Sequence, residues 1–107
     1  AAKWGIIGLM KTLAMEWGPE GVRVNAICPG AVEGPRMQGV MEREAAAKST
    51  DVQHIYDGYA SGTSMRSLVT AEDIANMAVF LCSIGARLVS GQVIAVDGHT
   101  ENPDPKV

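Results

Sequence analysis

Cysteine is scarce in this chain. Cys28 and Cys82 are the two present, each inside an apolar stretch. That usage predicts two buried thiols in a reducing, cytoplasmic setting rather than a disulfide. No Cys/His spacing suggests a zinc site, and His54 and His99 stand alone, each expected on the surface or in a loop. Long apolar runs are missing too. None approaches the roughly 18 residues that a membrane span requires. Positive charge is not concentrated anywhere. Lys3, Lys11, Arg23, Arg36, Arg43, Lys48, Arg66, Arg87 and Lys106 are scattered, and the net charge is −3. No cluster of them neutralises a run of phosphates, so a nucleic-acid partner is not expected.

Self-contained catalytic motifs are also lacking. There is no Gly-x-Ser-x-Gly, no Walker loop, no His-Glu-x-x-His and no Gly-x-Gly-x-x-Gly. Ser90, Asp97 and His99 could form a hydrolase triad on paper, but no nucleophile elbow accompanies them.

What is present is the patterning of one α/β layer. The 107 residues suit a single domain. Residues 1–17 read as a helix, with Ile6, Met10, Leu13 and Trp17 at helical spacing and Ile7, Leu9 and Ala14 widening the stripe. Gly5 and Gly8 weaken that helix, which suggests close approach of another backbone or a ligand. Gly18-Pro19 is expected to end it, with Gly18 at the C-cap. Val22–Cys28 reads as a buried strand terminated by Pro29-Gly30. A helix is expected over Arg36–Lys48, followed by a polar stretch, so that 36–69 reads as a long connection of the lid or substrate-loop kind. Thr70 caps the next helix, with Asp73 at the reciprocal position. Ile74, Met77, Ala78 and Leu81 form its stripe, and Val79, Phe80 and Cys82 fill adjacent faces. Such broad apolar surfaces imply burial on more than one side. Gln92–Val96 reads as a short buried strand closed by Asp97-Gly98, and the Pro-bearing residues 100–107 as a loose tail. The order is helix, strand, lid, helix, strand. Two parallel strands with one right-handed crossover do not close a domain, so further structure should cover their edge and faces.

Four segments carry a family resemblance. Lys3 with Gly8-Leu9-Met10-Lys11-Thr12-Leu13-Ala14-Met15-Glu16 is the first, and Gly21-Val22-Arg23-Val24-Asn25-Ala26-Ile27-Cys28-Pro29-Gly30-Ala31-Val32 the second. Ala71-Glu72-Asp73-Ile74-Ala75 with Val79-Phe80-Leu81-Cys82-Ser83 is the third, and Ser90-Gly91-Gln92-Val93-Ile94-Ala95-Val96-Asp97-Gly98 the fourth. In order and spacing they resemble the C-terminal half of a short-chain dehydrogenase/reductase. Arg-Val-Asn, Pro-Gly and the closing Val-Asp-Gly are weak singly and specific together.

The resemblance implies the C-terminal part of a Rossmann-like, doubly wound parallel sheet, spanning 1–107 as a portion of one domain. It implies hydride transfer between NAD or NADP and a small carbonyl/alcohol substrate. Lys3 is similar to the catalytic lysine of the family's Tyr-x-x-x-Lys pair, which bonds the nicotinamide ribose hydroxyls and lowers the tyrosine pKa. Pro29, Gly30 and Val32 resemble the loop whose backbone binds the nicotinamide carboxamide. Gly34 stands where relatives often carry a Thr, which removes a hydroxyl contact, and the charge of Arg36 is a candidate substitute near the pyrophosphate. By position, Met37, Met41 and Tyr56 are candidate substrate contacts. Asn25 is read as structural. His99 replaces the second Gly usual after Asp97-Gly98.

The family's tyrosine would precede Ala1. Neither Tyr56 nor Tyr59 has a lysine four residues on, and the Gly-rich turn, the catalytic Ser and the residue that selects NAD or NADP are absent. These 107 residues are therefore expected to be inactive alone and part of a longer, homo-oligomeric enzyme, a dimer or tetramer. The alternative is a non-catalytic binding or oligomerisation module of the same fold.

Overall fold

The computed structural model describes residues 2–100; the expected tail from 101 onward lies outside the described residues. The chain divides into two compact units. One holds the residues up to Cys28 together with Ala75–Ala95, the other Pro29–Ile74 with the residues from Val96.

In the first unit, α1 (Ala2–Trp17) forms where the periodicity predicts it. The chain then tightens into a 3-10 turn over Gly18–Glu20, which tolerates Pro19 because an early position in such a turn needs no amide donor. The left-handed residue is Gly21, with φ +82°, and its N–H donates to the Gly18 carbonyl at 2.9 Å. The expected cap at Gly18 is thus displaced by three residues. Gly5 and Gly8 have nothing within 4 Å of where a Cβ would stand, so the expected close approach is not found among the described residues.

The strand β1 covers Ala26–Pro29 rather than 22–28. Val22 and Val24 have strand propensity, but their neighbours use side chains. The Val24 N–H donates to Ser90 Oγ at 3.2 Å, and the Val24 carbonyl accepts from the Gly91 N–H at 2.8 Å. Asn25 is structural, as expected. Its Nδ2 donates to the Val89 carbonyl at 2.9 Å and its Oδ1 accepts from the Gln92 N–H at 3.1 Å. This pair of hydrogen bonds sets the register of β2 (Val93–Val96) beside β1. The Ala26 N–H donates to the Gln92 carbonyl and the Gly30 N–H to the Val96 carbonyl. Four residues of advance on each strand mark the pair as parallel.

Helix α4 (Ala71–Leu81) ends in this unit, where Arg23 Nη1 donates to the Leu81 carbonyl at 2.5 Å and satisfies one of the last helical acceptors. A 3-10 turn at Ile84–Ala86 follows, which the sequence pattern does not signal. The broad apolar faces are not covered by the described residues. Met10 is the buried residue of α1, while Trp4, Ile6, Leu9 and Met15, and on α4 Val79 and Phe80, are exposed. Cys82 is exposed as well and Cys28 half-buried, so the expectation of two buried thiols fails; both are free. The cause is the same: the faces that carry them meet no second layer within the described chain.

The second unit contains the segment expected as a lid. It is helical: α2 (Pro35–Ala47) agrees with the predicted helix, whereas α3 (Val52–Ser61) occupies the stretch read as polar and irregular. Asp51 starts α3 by accepting the His54 N–H at 2.8 Å on its side chain. Met41, Ala45 and Ile55 form the buried core between the two helices, with Met37, Val52, Tyr56 and Tyr59 packed around it. Val32 and Val69 form an isolated parallel bridge. Thr70 and Asp73 make the reciprocal cap expected for α4: the Thr70 N–H donates to Asp73 Oδ2 and the Asp73 N–H to Thr70 Oγ1. These backbone and side-chain bonds to Thr70 hold the Asp73 carboxyl below the usual aspartate range. At the end of the described chain, Thr100 bridges Thr63 in antiparallel fashion and donates from Oγ1 to the Asp97 carbonyl.

Candidate active site

The predicted site residues fall on both units. Lys3 is exposed in the first turn of α1, in the first unit. Pro29, Gly30, Val32, Gly34, Met37, Met41 and Tyr56 belong to the second.

Pro29 closes β1 and is exposed, and the loop 30–34 leaves the carboxyl end of that strand. Ligands of open α/β sheets bind at this end. Gly30 does permit a close approach there, but of the chain to itself. A Cβ at position 30 would lie 2.8 Å from Asp97 Cβ and 2.9 Å from Asp97 Cα.

Val32 is the residue best placed for a ligand. In its parallel bridge the Val69 N–H donates to the Ala31 carbonyl at 2.9 Å and the Glu33 N–H to the Val69 carbonyl at 2.7 Å. Such a bridge uses the groups flanking Val32 and turns its own N–H and C=O the other way. Among the described residues neither group has a partner. A main-chain donor and acceptor on one half-buried residue match the C=O and NH2 of a primary carboxamide, so this loop fits the nicotinamide end of NAD or NADP.

Two cavities open around the loop. One, of about 510 Å³, is lined by Gly30–Met37 and Val40, which brings Gly30, Val32, Gly34 and Met37 together. Arg36 lines it and is exposed. Gly34 precedes α2 with φ +153° and offers no side-chain cap, consistent with the loss of a hydroxyl there. The second cavity, of about 440 Å³, is lined by Glu33, Gly34, Pro35, Gln38, Met41 and Tyr56. Met41 is at the same time a core residue, 3% exposed.

Sequence reasoning missed Glu33 and Gln38. Glu33 is an acid standing between Pro29-Gly30 and Gly34-Pro35, and that placement was the available signal. The Tyr56 hydroxyl donates to Glu33 Oε1 at 2.5 Å. This bond, then desolvation and the charges of Glu33 and Asp57, raise the Tyr56 pKa above the ordinary tyrosine value. No group of His, Cys, Asp and Glu among the described residues could hold a metal ion, and no described helix is long and apolar enough to cross a membrane.

The comparisons with known proteins decide the family. Residues 1–99 match the family model described as enoyl-(acyl carrier protein) reductase. The chain belongs to the short-chain dehydrogenase/reductase family. It is 37% identical over 97 residues to protein MoaE of Klebsiella aerogenes, covering 91% of this chain and 38% of that protein. To D-beta-hydroxybutyrate dehydrogenase of Rhizobium meliloti it is 35% identical over 99 residues, covering 92% of this chain and 38% of the relative. Among solved structures, L-sorbose reductase of Gluconobacter frateurii, complexed with NADPH and L-sorbose, superposes with a TM-score of 0.83 at 28% identity. That match covers 94% of this chain and 38% of the reductase. As a short-chain dehydrogenase/reductase segment, the chain has the α/β architecture of a Rossmann-type sheet, and it spans about two fifths of the length of these relatives.

Proposed function

We propose that this chain is the C-terminal portion of an NAD- or NADP-dependent oxidoreductase acting on a small carbonyl/alcohol pair. The observation that carries the reading is Val32, a residue of the family match whose N–H and C=O have no partner among the described residues and which lies beyond the carboxyl end of a parallel strand. Val32 holds the carboxamide, Lys3 binds the nicotinamide ribose hydroxyls, and Pro29, Gly30 and Gly34 shape the loop. When bound, the cofactor supplies the hydride. The Lys3 ammonium also favours the ionised form of the family's tyrosine, the proton donor or acceptor at the substrate oxygen, which lies before Ala1 in the resemblance. Met37, Met41 and Tyr56 contact the substrate, with 36–69 as the element that closes over it. The exposed apolar faces of α1 and α4 are covered by the rest of the domain and by a second subunit, giving a homo-oligomer. Two unpaired thiols suit a cytoplasmic protein.

The test is turnover of NADH or NADPH with a carbonyl panel by the full-length protein that carries this chain. Lys3→Ala should lower kcat by roughly 100-fold or more, and the isolated 107 residues should show none. Turnover by the isolated chain would refute the reading. The alternative, a non-catalytic binding or oligomerisation module, predicts no turnover by the full-length protein with either cofactor.

A further inference from the structure

We propose that Glu33 sets the charge preference of the substrate site, admitting neutral or cationic carbonyl/alcohol substrates that present a hydrogen-bond donor and excluding those with a carboxylate or phosphate beside the reacting carbon. This inference rests on the oxidoreductase reading above.

Three observations carry it. First, Glu33 is the formally charged group among the residues that line the 440 Å³ cavity; Gln38, Met41, Tyr56, Gly34 and Pro35 are neutral. Second, its charge is not cancelled. Glu33 makes no ion pair with any cation among the described residues; Arg36, three residues on, shares the lining of the 510 Å³ cavity with it but does not line the 440 Å³ one. Asp57, whose charge is felt at Tyr56, adds to the negative potential. Third, the carboxylate is held in place. Its Oε1 accepts the Tyr56 hydroxyl across 23 residues of chain, which leaves Oε2 as an acceptor for a substrate donor. Glu33 is exposed, so it meets a substrate directly. A carboxylate has acceptors only, so a hydroxyl or ammonium group on the substrate satisfies it, whereas an anion meets a like charge. The position follows Val32 directly, which puts the carboxylate one residue from the proposed carboxamide anchor.

The test compares kcat/KM of the full-length enzyme for hydroxyketones and for 2-oxo acids of matched length, using the better of NADH and NADPH. The wild type should favour the hydroxyketones by about tenfold or more, the size expected of one like-charge encounter. Glu33→Gln keeps an acceptor for Tyr56 and should narrow the ratio by about tenfold, mainly by improving the 2-oxo acids. An unchanged ratio in an active Glu33→Gln enzyme overturns the inference and leaves the oxidoreductase reading standing. So does a wild type that prefers 2-oxo acids, a result that needs no variant to fold. No turnover of any carbonyl with either cofactor overturns the oxidoreductase reading, and this inference with it.

Discussion

Gly30 and Asp97 leave no room for a side chain between them. A Cβ at position 30 would stand 2.8 Å from Asp97 Cβ and 2.9 Å from Asp97 Cα, and the second of these is backbone that cannot rotate away. The Gly30 N–H is at the same time bonded to the Val96 carbonyl at 3.0 Å, so the two segments are held at that separation.

Gly30→Ala should therefore push the loop away from Asp97 and cost about 1–3 kcal/mol, the usual range for overpacking. Thermal or denaturant unfolding of the full-length protein reads the loss. Cofactor affinity should fall with it, because Val32 lies two residues on. An alanine variant as stable as the parent would show that the contact relaxes freely.

Tyr56 should ionise above the ordinary tyrosine range, chiefly because its hydroxyl donates to Glu33. The sign follows from linkage. A folded pKa above the unfolded value of about 10 gives a contribution fully present below pH 10 and lost as pH rises through the folded value. Phenolate absorbance during alkaline titration should include a late component from Tyr56, and Glu33→Ala should bring that component back toward the free value. A titration unaffected by Glu33→Ala would separate the two residues.

Thr70→Ala removes the hydroxyl that accepts the Asp73 N–H at 3.1 Å. The expected loss is about 1 kcal/mol of stability, typical of a helix N-cap, read by denaturant unfolding. The Asp73 carboxyl, held low by its bonds to Thr70, contributes above the unfolded aspartate pKa and loses that contribution as pH falls through its folded value. The Thr70→Ala variant keeps the backbone N–H bonded to Asp73, the larger cause, and should lose only the part of this acid sensitivity that the hydroxyl supplies.

Asn25→Ala strands the Gln92 N–H and leaves the Val89 carbonyl with only the longer bond from Arg23 Nη1 at 3.5 Å. A cost of roughly 0.5–1.5 kcal/mol is expected, the net worth of an ordinary hydrogen bond, because the Gln92 N–H can turn to water. Asn25→Asp keeps one acceptor for Gln92 but loses the donor to Val89, and should fall between alanine and wild type. Equal stability of all three would remove Asn25 from the set of residues that hold the register of β2.

Much of this was legible along the chain. The helical pattern of α1, the Thr70–Asp73 cap of α4 and the strand read at Gln92–Val96 are local patterns that declare themselves within a turn or two. The strand itself covers Val93–Val96 and exposes Val93 and Ala95 rather than being buried. Helix α3 was obscured because Asp57, Gly58 and Ser61 dilute its apolar face. The readable signal was Asp51 as a cap ahead of Val52, Ile55 and Tyr59. The early start expected for β1 followed from β-branched Val22 and Val24, but a strand needs a partner, and there Ser90 and Gly91 take the backbone groups of Val24. Helix and cap depend on neighbours three or four residues away; pairing depends on what arrives from elsewhere.

The same division separates the parts of the site. By itself the sequence determined the family, the order of elements and the candidate residues Lys3, Pro29, Gly30, Val32 and Gly34, because motif identity and spacing are properties of the chain. Only the tertiary structure decided that Gly30 yields to Asp97, that Val69 leaves the N–H and C=O of Val32 unused, and that Tyr56 fastens Glu33 beside a cavity. Those relationships join residues 23 to 67 positions apart. No periodicity encodes such distances; they exist once the parallel strands and the α2–α3 core have brought the segments together.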